Sequence, residues 1–223
     1  MTTQSKVNED SQPATMTGPA TVLVPAALWL IVPLTAMLLY PLVRENEQYL
    51  TWLTGALVIC VLIFSVVVHE VCHGLAAFLC GDPTAHDAGR FTLNPISHIS
   101  AFGSIVVPLL LHLTGAGLII GWAKPVPFNP LRLRHYPRDQ VALALAGPTS
   151  NLLLSFASFT LFLALGALFN HLYPEKPVSL QFAFPPTVAV GDVALAGAWF
   201  VVFQILAAGM FINSSLAVFN LVP

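Results

Sequence analysis

The chain alternates between long apolar runs and short polar connections. Five stretches contain no Asp, Glu, Lys or Arg, namely residues 11–43, 50–68, 91–123, 140–174 and 193–223. A helix that crosses the hydrocarbon core of a bilayer needs about 20 mostly apolar residues. The pattern therefore predicts four membrane-spanning helices, at residues 21–43, 50–80, 141–169 and 193–223.

Composition narrows the class of protein. Hydrophobic residues make up 57% of the chain and charged residues 8%, with a mean hydropathy of +0.81, whereas soluble domains carry about 25% charged residues. These values exclude an ordinary soluble domain and predict an all-α polytopic membrane protein. Residues 1–19 are polar and predict a disordered tail, which leaves residues 20–223 as a single integral membrane domain. The net charge of −2 gives no reason to expect a nucleic-acid partner.

The apolar segment at residues 104–121 has two interpretations. It contains Pro108 and three glycines, so it can either cross the membrane or enter it and return on the same side, which bilayers tolerate where protein covers the backbone. The positive-inside rule places the basic connection at residues 122–140 in the cytoplasm. We favour re-entry, because the connections on both sides of the segment then face the cytoplasm together.

The stretch FSVVVHEVCHGLAAF, residues 64–78, places ionisable groups inside a predicted span. His69 and His73 are four residues apart, so on a helix they project from one face. They can share one zinc ion there, while Glu70 can act as a general base. An ionised residue at the centre of a span costs about 2.5–3.5 kcal/mol, which favours a functional explanation. At 1.5 Å per residue the histidines begin about 28 Å from Leu50, towards the far end of the helix.

Other interpretations of this cluster stay open. The three polar groups could instead form hydrogen bonds that hold helices together. A hydrolytic zinc site typically has three protein ligands plus water, and Cys72 is a conceivable further ligand, although helical geometry places His73 better. The remaining histidines fit ordinary surface or hydrogen-bonding roles: His86, His98, His112, His135 and His171.

Several further motifs follow the histidine cluster in a fixed order. They are HEVCHG (69–74), GRFTLNPISHI (89–99), FGSIVVPLLL (102–111), GWAKPVPFNP (121–130), ALAGPTSN (144–151) and FNLVP (219–223). In this order they resemble the site-2 protease family of intramembrane zinc metalloproteases, in its compact bacterial form without a PDZ domain. The resemblance covers roughly residues 50–223.

The resemblance implies a role for each matching residue. His69 and His73 would bind one catalytic Zn²⁺, and Glu70 would be the general base. Asn151 and Asn220 would orient the substrate or polarise its scissile carbonyl, with hydrogen bonds between helices as the alternative for both. The expected substrates are transmembrane proteins or remnant signal peptides. The expected location is the bacterial cell membrane, with the active site nearer the cytoplasmic face.

The resemblance also implies membrane-associated strands at residues 89–95 and 122–129. These strands would pair with an unwound substrate segment by strand addition. The strands would lie near the active site, because a transmembrane helix hides its peptide bonds until it unwinds locally.

The sequence departs from the family pattern in two places. Ser100 and Ala101 stand where the family has an aspartate and a proline. The family also has an Asp-Gly after F-N-L-x-P, whose aspartate is the third zinc ligand, and this sequence stops at Pro223. We expect the natural chain to continue. The alternative function is a zinc-binding membrane protein without proteolysis, either a pseudoprotease or a metal-transport component.

Overall fold

The computed structural model describes residues 20–107, 110, 114, 123–181, 187–191 and 193–221. The helices in these residues, in chain order, are α1 (Ala20–Val43), α2 (Glu47–Leu79), α3 (Thr84–Asp87), α4 (Arg138–Leu172) and α5 (Ala196–Leu221). Single 3₁₀ turns occupy Pro95–His98 and Pro130–Arg132, and a π-helical turn occupies Ala101–Val106. The predicted tail at 1–19 and most of 104–121 lie outside the described residues, so both remain predictions.

The long helices follow the predicted spans closely. By length and composition α2, α4 and α5 can each cross a membrane, and α1 has a shorter apolar stretch at Ala27–Val43. At the start of α2 the side chain of Asn46 accepts a hydrogen bond from the Tyr49 backbone N–H at 3.1 Å and caps the helix. The prediction of an all-α membrane fold is confirmed.

Helix α5 lies at the centre of the bundle and contacts α1, α2 and α4. The core beside α1 is aromatic: the rings of Tyr40 and Phe200 stack with centroids 4.5 Å apart, and Phe169 and Phe203 are fully buried. Large apolar side chains also cover the outer face of the bundle, including Leu42, Leu153 and Phe156. Such a surface suits contact with lipid tails, because soluble proteins rarely expose large contiguous apolar patches.

Two short strands form a hairpin in the connection between α4 and α5. Strand β1 (Ser179–Gln181) pairs antiparallel with β2 (Thr187–Ala189). The fully buried side chain of Gln204 on α5 accepts a hydrogen bond from the Val188 N–H at 3.1 Å, which fixes the hairpin to the bundle. Strands were expected instead at residues 89–95 and 122–129, and the structure corrects that location: residues 90–94 and 123–129 form no strand.

The backbone donors of residues 123–129 explain the missing strand. Lys124 N–H donates to the His98 carbonyl at 2.8 Å, Val126 N–H to Glu70 Oε2 at 3.0 Å, and Asn129 N–H to Asp82 Oδ2 at 2.5 Å. Residues 125 and 127 are prolines, which have no N–H to donate. A β-ladder needs regularly spaced free donors, and here most donors are already used or missing.

Candidate metal centre

Helix α2 brings the predicted ligands together. The Nε2 atoms of His69 and His73 lie 3.0 Å apart, and the two rings are nearly perpendicular, at 81°. His69 is buried and His73 is half-buried. The spacing of four residues produces this arrangement, because such residues lie one turn apart on the same face of a helix.

Helix α4 holds the outer nitrogen of His73. His73 Nδ1 lies 2.7 Å from the Leu143 carbonyl oxygen. A carbonyl oxygen can only accept, so Nδ1 of His73 carries the proton and Nε2 presents its lone pair. Pro148 lies inside α4 and has no N–H, so it cannot donate the usual helical hydrogen bond to the Ala144 carbonyl.

A buried amide holds the outer nitrogen of His69. His69 Nδ1 lies 2.7 Å from Asn151 Oδ1, and Asn151 Nδ2 donates to Asn213 Oδ1 at 3.1 Å. Because the amide nitrogen of Asn151 is used towards Asn213, its oxygen faces His69 and accepts. His69 is therefore also protonated on Nδ1, with its Nε2 lone pair directed at His73.

Residue 147 has to be glycine at this point. A Cβ on Gly147 would lie 2.5 Å from His69 Nε2 and would also overlap His73 Nε2. Real Cβ contacts essentially never come so close. The missing side chain of Gly147 thus makes the space in which α4 packs against both histidine rings.

Glu70 faces a different neighbour from the histidine pair. Its Oε2 accepts the Val126 N–H at 3.0 Å. His69, Glu70 and His73 nevertheless line one cavity of about 340 Å³, and Pro125 and Phe128 line the same cavity. The Glu70 carboxylate therefore shares a cavity with the two imidazoles, while its hydrogen bond goes to the backbone of Val126.

The histidine pair fits a zinc ion as two of its ligands. Two Nε2 lone pairs that face each other at 3.0 Å have no proton between them, and a cation that accepts both lone pairs stabilises this arrangement. Imidazole nitrogen is a common zinc ligand, held in the right tautomer by a hydrogen bond to its other nitrogen. Among the described residues, no group of three or more His, Cys, Asp or Glu side chains could hold a metal ion. The pair thus supplies a partial site.

The two predicted asparagines occupy different places. Asn151 is completely buried between α2, α4 and α5 and contacts His69. Asn220 lines the cavity with the histidines, and its amide nitrogen donates to the Leu216 carbonyl of its own helix at 2.7 Å. A role in substrate orientation stays a prediction for both residues, and the position of Asn220 is the better suited to it.

Most other histidines lie apart from this cavity. His86 pairs with Asp87 at 3.2 Å on the exposed surface, and His135 lies 3.8 Å from Asp139. His98 is buried, with Nε2 directed to the Thr92 carbonyl at 2.9 Å. His171 is exposed, and His112 is outside the described residues. Cys72 is half-buried on α2 and does not line the cavity.

Sequence reasoning missed two residues that hold the site, Gly147 and Asn213. A signal existed for each. Gly147 lies four residues before Asn151, so both face α2 from one side of α4. Asn213 is an amide inside an apolar span, and a polar group at such a depth calls for a partner.

A curated relative bears on this site. Over 106 residues the chain is 40% identical to a protein of Bacillus subtilis (strain 168) named "Putative zinc metalloprotease YwhC". The aligned part is 48% of this chain and 45% of that protein, so the chain spans about half the length of the curated relative it matches. No family model matches the chain, and no solved structure matches it. Membership of the site-2 protease family therefore stays a prediction.

Proposed function

We propose that this protein is a zinc-dependent endopeptidase that cuts peptide bonds within transmembrane segments. The observation that carries the proposal is the pair of Nε2 atoms 3.0 Å apart on a helix able to span a membrane, with Glu70 in the same cavity. The relative named as a zinc metalloprotease supports the metalloprotease class and the metal.

The residues divide the chemistry between them. His69 and His73 would hold the zinc ion, which when bound supplies a Lewis acid and lowers the pKa of bound water to about 7. Glu70 would take a proton from the attacking water and later pass it to the leaving amine, as a general base and then a general acid. Val126 holds the Glu70 carboxylate through its N–H.

Residues 123–129 are the proposed place for the unwound substrate. They border the cavity through Pro125, Val126 and Phe128. Since these residues have few free N–H groups, a substrate segment beside them would have to donate its own N–H groups to their carbonyls. The expected substrates are transmembrane proteins or remnant signal peptides in a bacterial cell membrane, cut nearer its cytoplasmic face.

The test compares Glu70→Gln with the wild-type protein in its natural full-length form. A labelled signal-peptide remnant is the probe, and its cleavage is followed in detergent with and without added zinc. Glutamine keeps the shape but cannot accept the proton, so we expect cleavage to fall by about 10²–10⁴-fold while bound zinc is unchanged. Glu47→Gln is the matched control, because Glu47 is an exposed carboxylate at the start of the same helix.

Two results would count against the proposal. Full cleavage by Glu70→Gln would remove Glu70 as the base. The second result is that zinc binding depends on His69 and His73 but the wild-type protein cleaves no transmembrane probe. This result would favour the non-proteolytic zinc-binding alternative.

A further inference from the structure

A chain of three hydrogen bonds runs from α5 to the histidine pair. Asn213 Nδ2 donates to the Gly209 carbonyl at 2.9 Å, and its Oδ1 accepts from Asn151 Nδ2 at 3.1 Å. Asn151 Oδ1 then meets His69 Nδ1 at 2.7 Å. The chain thus starts on a backbone carbonyl and ends on the ring that faces His73.

The donor and acceptor in each of these three hydrogen bonds follow from the first bond, the one to the Gly209 carbonyl. A carbonyl only accepts, so Gly209 fixes which end of the Asn213 amide points towards it. That fixes the Asn151 amide, and Asn151 in turn fixes the proton of His69 on Nδ1. Asn151 is 0% exposed and Asn213 is 3% exposed. Bulk water thus has almost no access to either amide, and a reversed amide would leave buried groups unsatisfied at a cost of about 1–3 kcal/mol each.

We infer that Asn213 is a positioning residue for the metal centre. It acts through Asn151 to keep the Nε2 lone pair of His69 free and directed at the zinc ion. This inference rests on the zinc site of the proposed function and adds a specific role for α5. It predicts that removing an amide two contacts away from the metal weakens zinc binding.

A simpler explanation is that the two asparagines only hold α4 and α5 together, as polar residues do in membranes. The same two helices offer a matched control. Ser155 and Ser214 form a hydrogen bond of 2.7 Å between them, and Ser155 also donates to the Met210 carbonyl at 3.0 Å. This pair also joins α4 and α5, and among the described residues neither serine forms a hydrogen bond with His69 or His73.

The experiment measures zinc affinity by competition with a chelator, using the purified full-length protein. The variants are Asn213→Leu, Asn151→Leu, the double variant, and Ser155→Ala with Ser214→Ala as the control. Loss of such an outer partner typically weakens metal affinity by about 10–100-fold. We expect this loss from each leucine variant, about the same loss from the double variant because both changes break one chain, and wild-type affinity in the control.

A further variant guards against a folding defect. Asn213→Asp keeps an oxygen that accepts from Asn151, and in its neutral form it also donates to Gly209. We expect Asn213→Asp to recover most of the affinity that Asn213→Leu loses. The Co²⁺-loaded wild type and variants also report the ligand field through their visible absorption, which helix packing alone would not change.

The outcomes separate the two proposals. If wild-type zinc binding depends on His69 and Asn213→Leu binds zinc equally well, the positioning role is overturned and the metal centre stands. Additive losses in the double variant would also overturn it. If the wild-type protein binds no zinc through His69, both the metal centre and the role of Asn213 fall.

Discussion

The histidine rings pack beside α4 only because residue 147 has no side chain. One added carbon would reach His69 Nε2 at 2.5 Å. The added carbon would be fixed to the backbone of α4, and the His69 ring is held by its hydrogen bond to Asn151. Separating the two would therefore cost free energy. A glycine in the middle of a helix is unfavourable by roughly 0.5–1 kcal/mol relative to alanine. At position 147 the closeness of the histidine rings explains why a glycine is nevertheless present.

Gly147→Ala should therefore displace the histidine pair. We expect a loss of zinc affinity together with a destabilisation of about 1–3 kcal/mol, the usual cost of overpacking. Zinc content and thermal unfolding in detergent measure the two effects. Gly166→Ala is the control on the same helix, because a Cβ there would meet only Val178 Cγ1, at 3.9 Å. Wild-type zinc binding by Gly147→Ala would contradict the packing described for this site.

The closeness of the two histidines could be predicted from the sequence, whereas the residues that hold their rings could not. His69 and His73 lie on one continuous helix, so their spacing alone places them together. Asn151 lies on α4 and Asn213 on α5, so the contact between them depends on the relative axial position of the two packed helices. The local sequence pattern of each helix carries no information about this relative position, which is set by packing along the whole length of both helices.

At the scale of elements, one carboxylate ties the end of α2 to the segment at residues 123–129. Asp82 is fully buried, and its Oδ1 accepts from the N–H and the hydroxyl of Thr84 at 3.1 and 2.5 Å. Its Oδ2 accepts the Asn129 N–H at 2.5 Å. In the same segment the Val126 N–H donates to Glu70. Asp82 therefore helps to hold the backbone that lines the cavity.

Asp82→Ala should loosen this segment without touching the histidines. Hydrogen bonds to a charged group contribute about 1.5–3 kcal/mol each, so we expect a clear fall in thermal stability. We also expect faster chymotrypsin cleavage after the exposed Phe128. Asp87→Ala is the control, since Asp87 is an exposed carboxylate on the neighbouring helix α3. Equal cleavage rates in the wild type and Asp82→Ala would show that Asp82 does not hold the segment.

The same carboxylate gives a dependence on pH. Burial alone would raise the pKa of Asp82, but hydrogen bonds from Thr84 and Asn129 outweigh burial and hold the pKa below its ordinary value. An aspartate with a lowered pKa stabilises the fold fully above its unfolded-state pKa of about 3.9, and loses that effect as the pH falls through the lower folded-state pKa. The stability difference between wild type and Asp82→Ala should thus be constant near neutral pH and shrink in acid below that value.

At the scale of the whole molecule, the apolar helices and the basic connection together predict an orientation in the membrane. The pattern of apolar runs located the four long helices of the described residues to within a few residues, because a segment suited to crossing lipid is a long apolar run whose backbone is satisfied within one helix. The apolar pattern could not show that residues 90–94 and 123–129 form no strand. In residues 123–129 the backbone donors bond to Glu70, Asp82 and the carbonyl of His98, and these partners come from elements distant in sequence.

The orientation predicts which face trypsin can reach. Arg132 and Arg134 are exposed in the connection between residues 122 and 140, which the positive-inside rule places in the cytoplasm. We expect cleavage after these residues in inside-out membrane vesicles and protection in right-side-out vesicles, as judged by mass spectrometry of the fragments. Detergent-opened vesicles of both kinds are the control and should give the same fragments. Cleavage confined to right-side-out vesicles would reverse the proposed orientation.

The few free donors of residues 123–129 have a consequence for the protein at high concentration. Lys124, Val126 and Asn129 already donate, and prolines at 125 and 127 have nothing to donate. An extended backbone left without a partner invites copies of a protein to join edge to edge and aggregate. Two copies of this segment would have too few free backbone N–H groups to form a β-ladder with each other. The backbone that borders the cavity is therefore poorly suited to pairing with a second copy of itself, which limits aggregation through this segment.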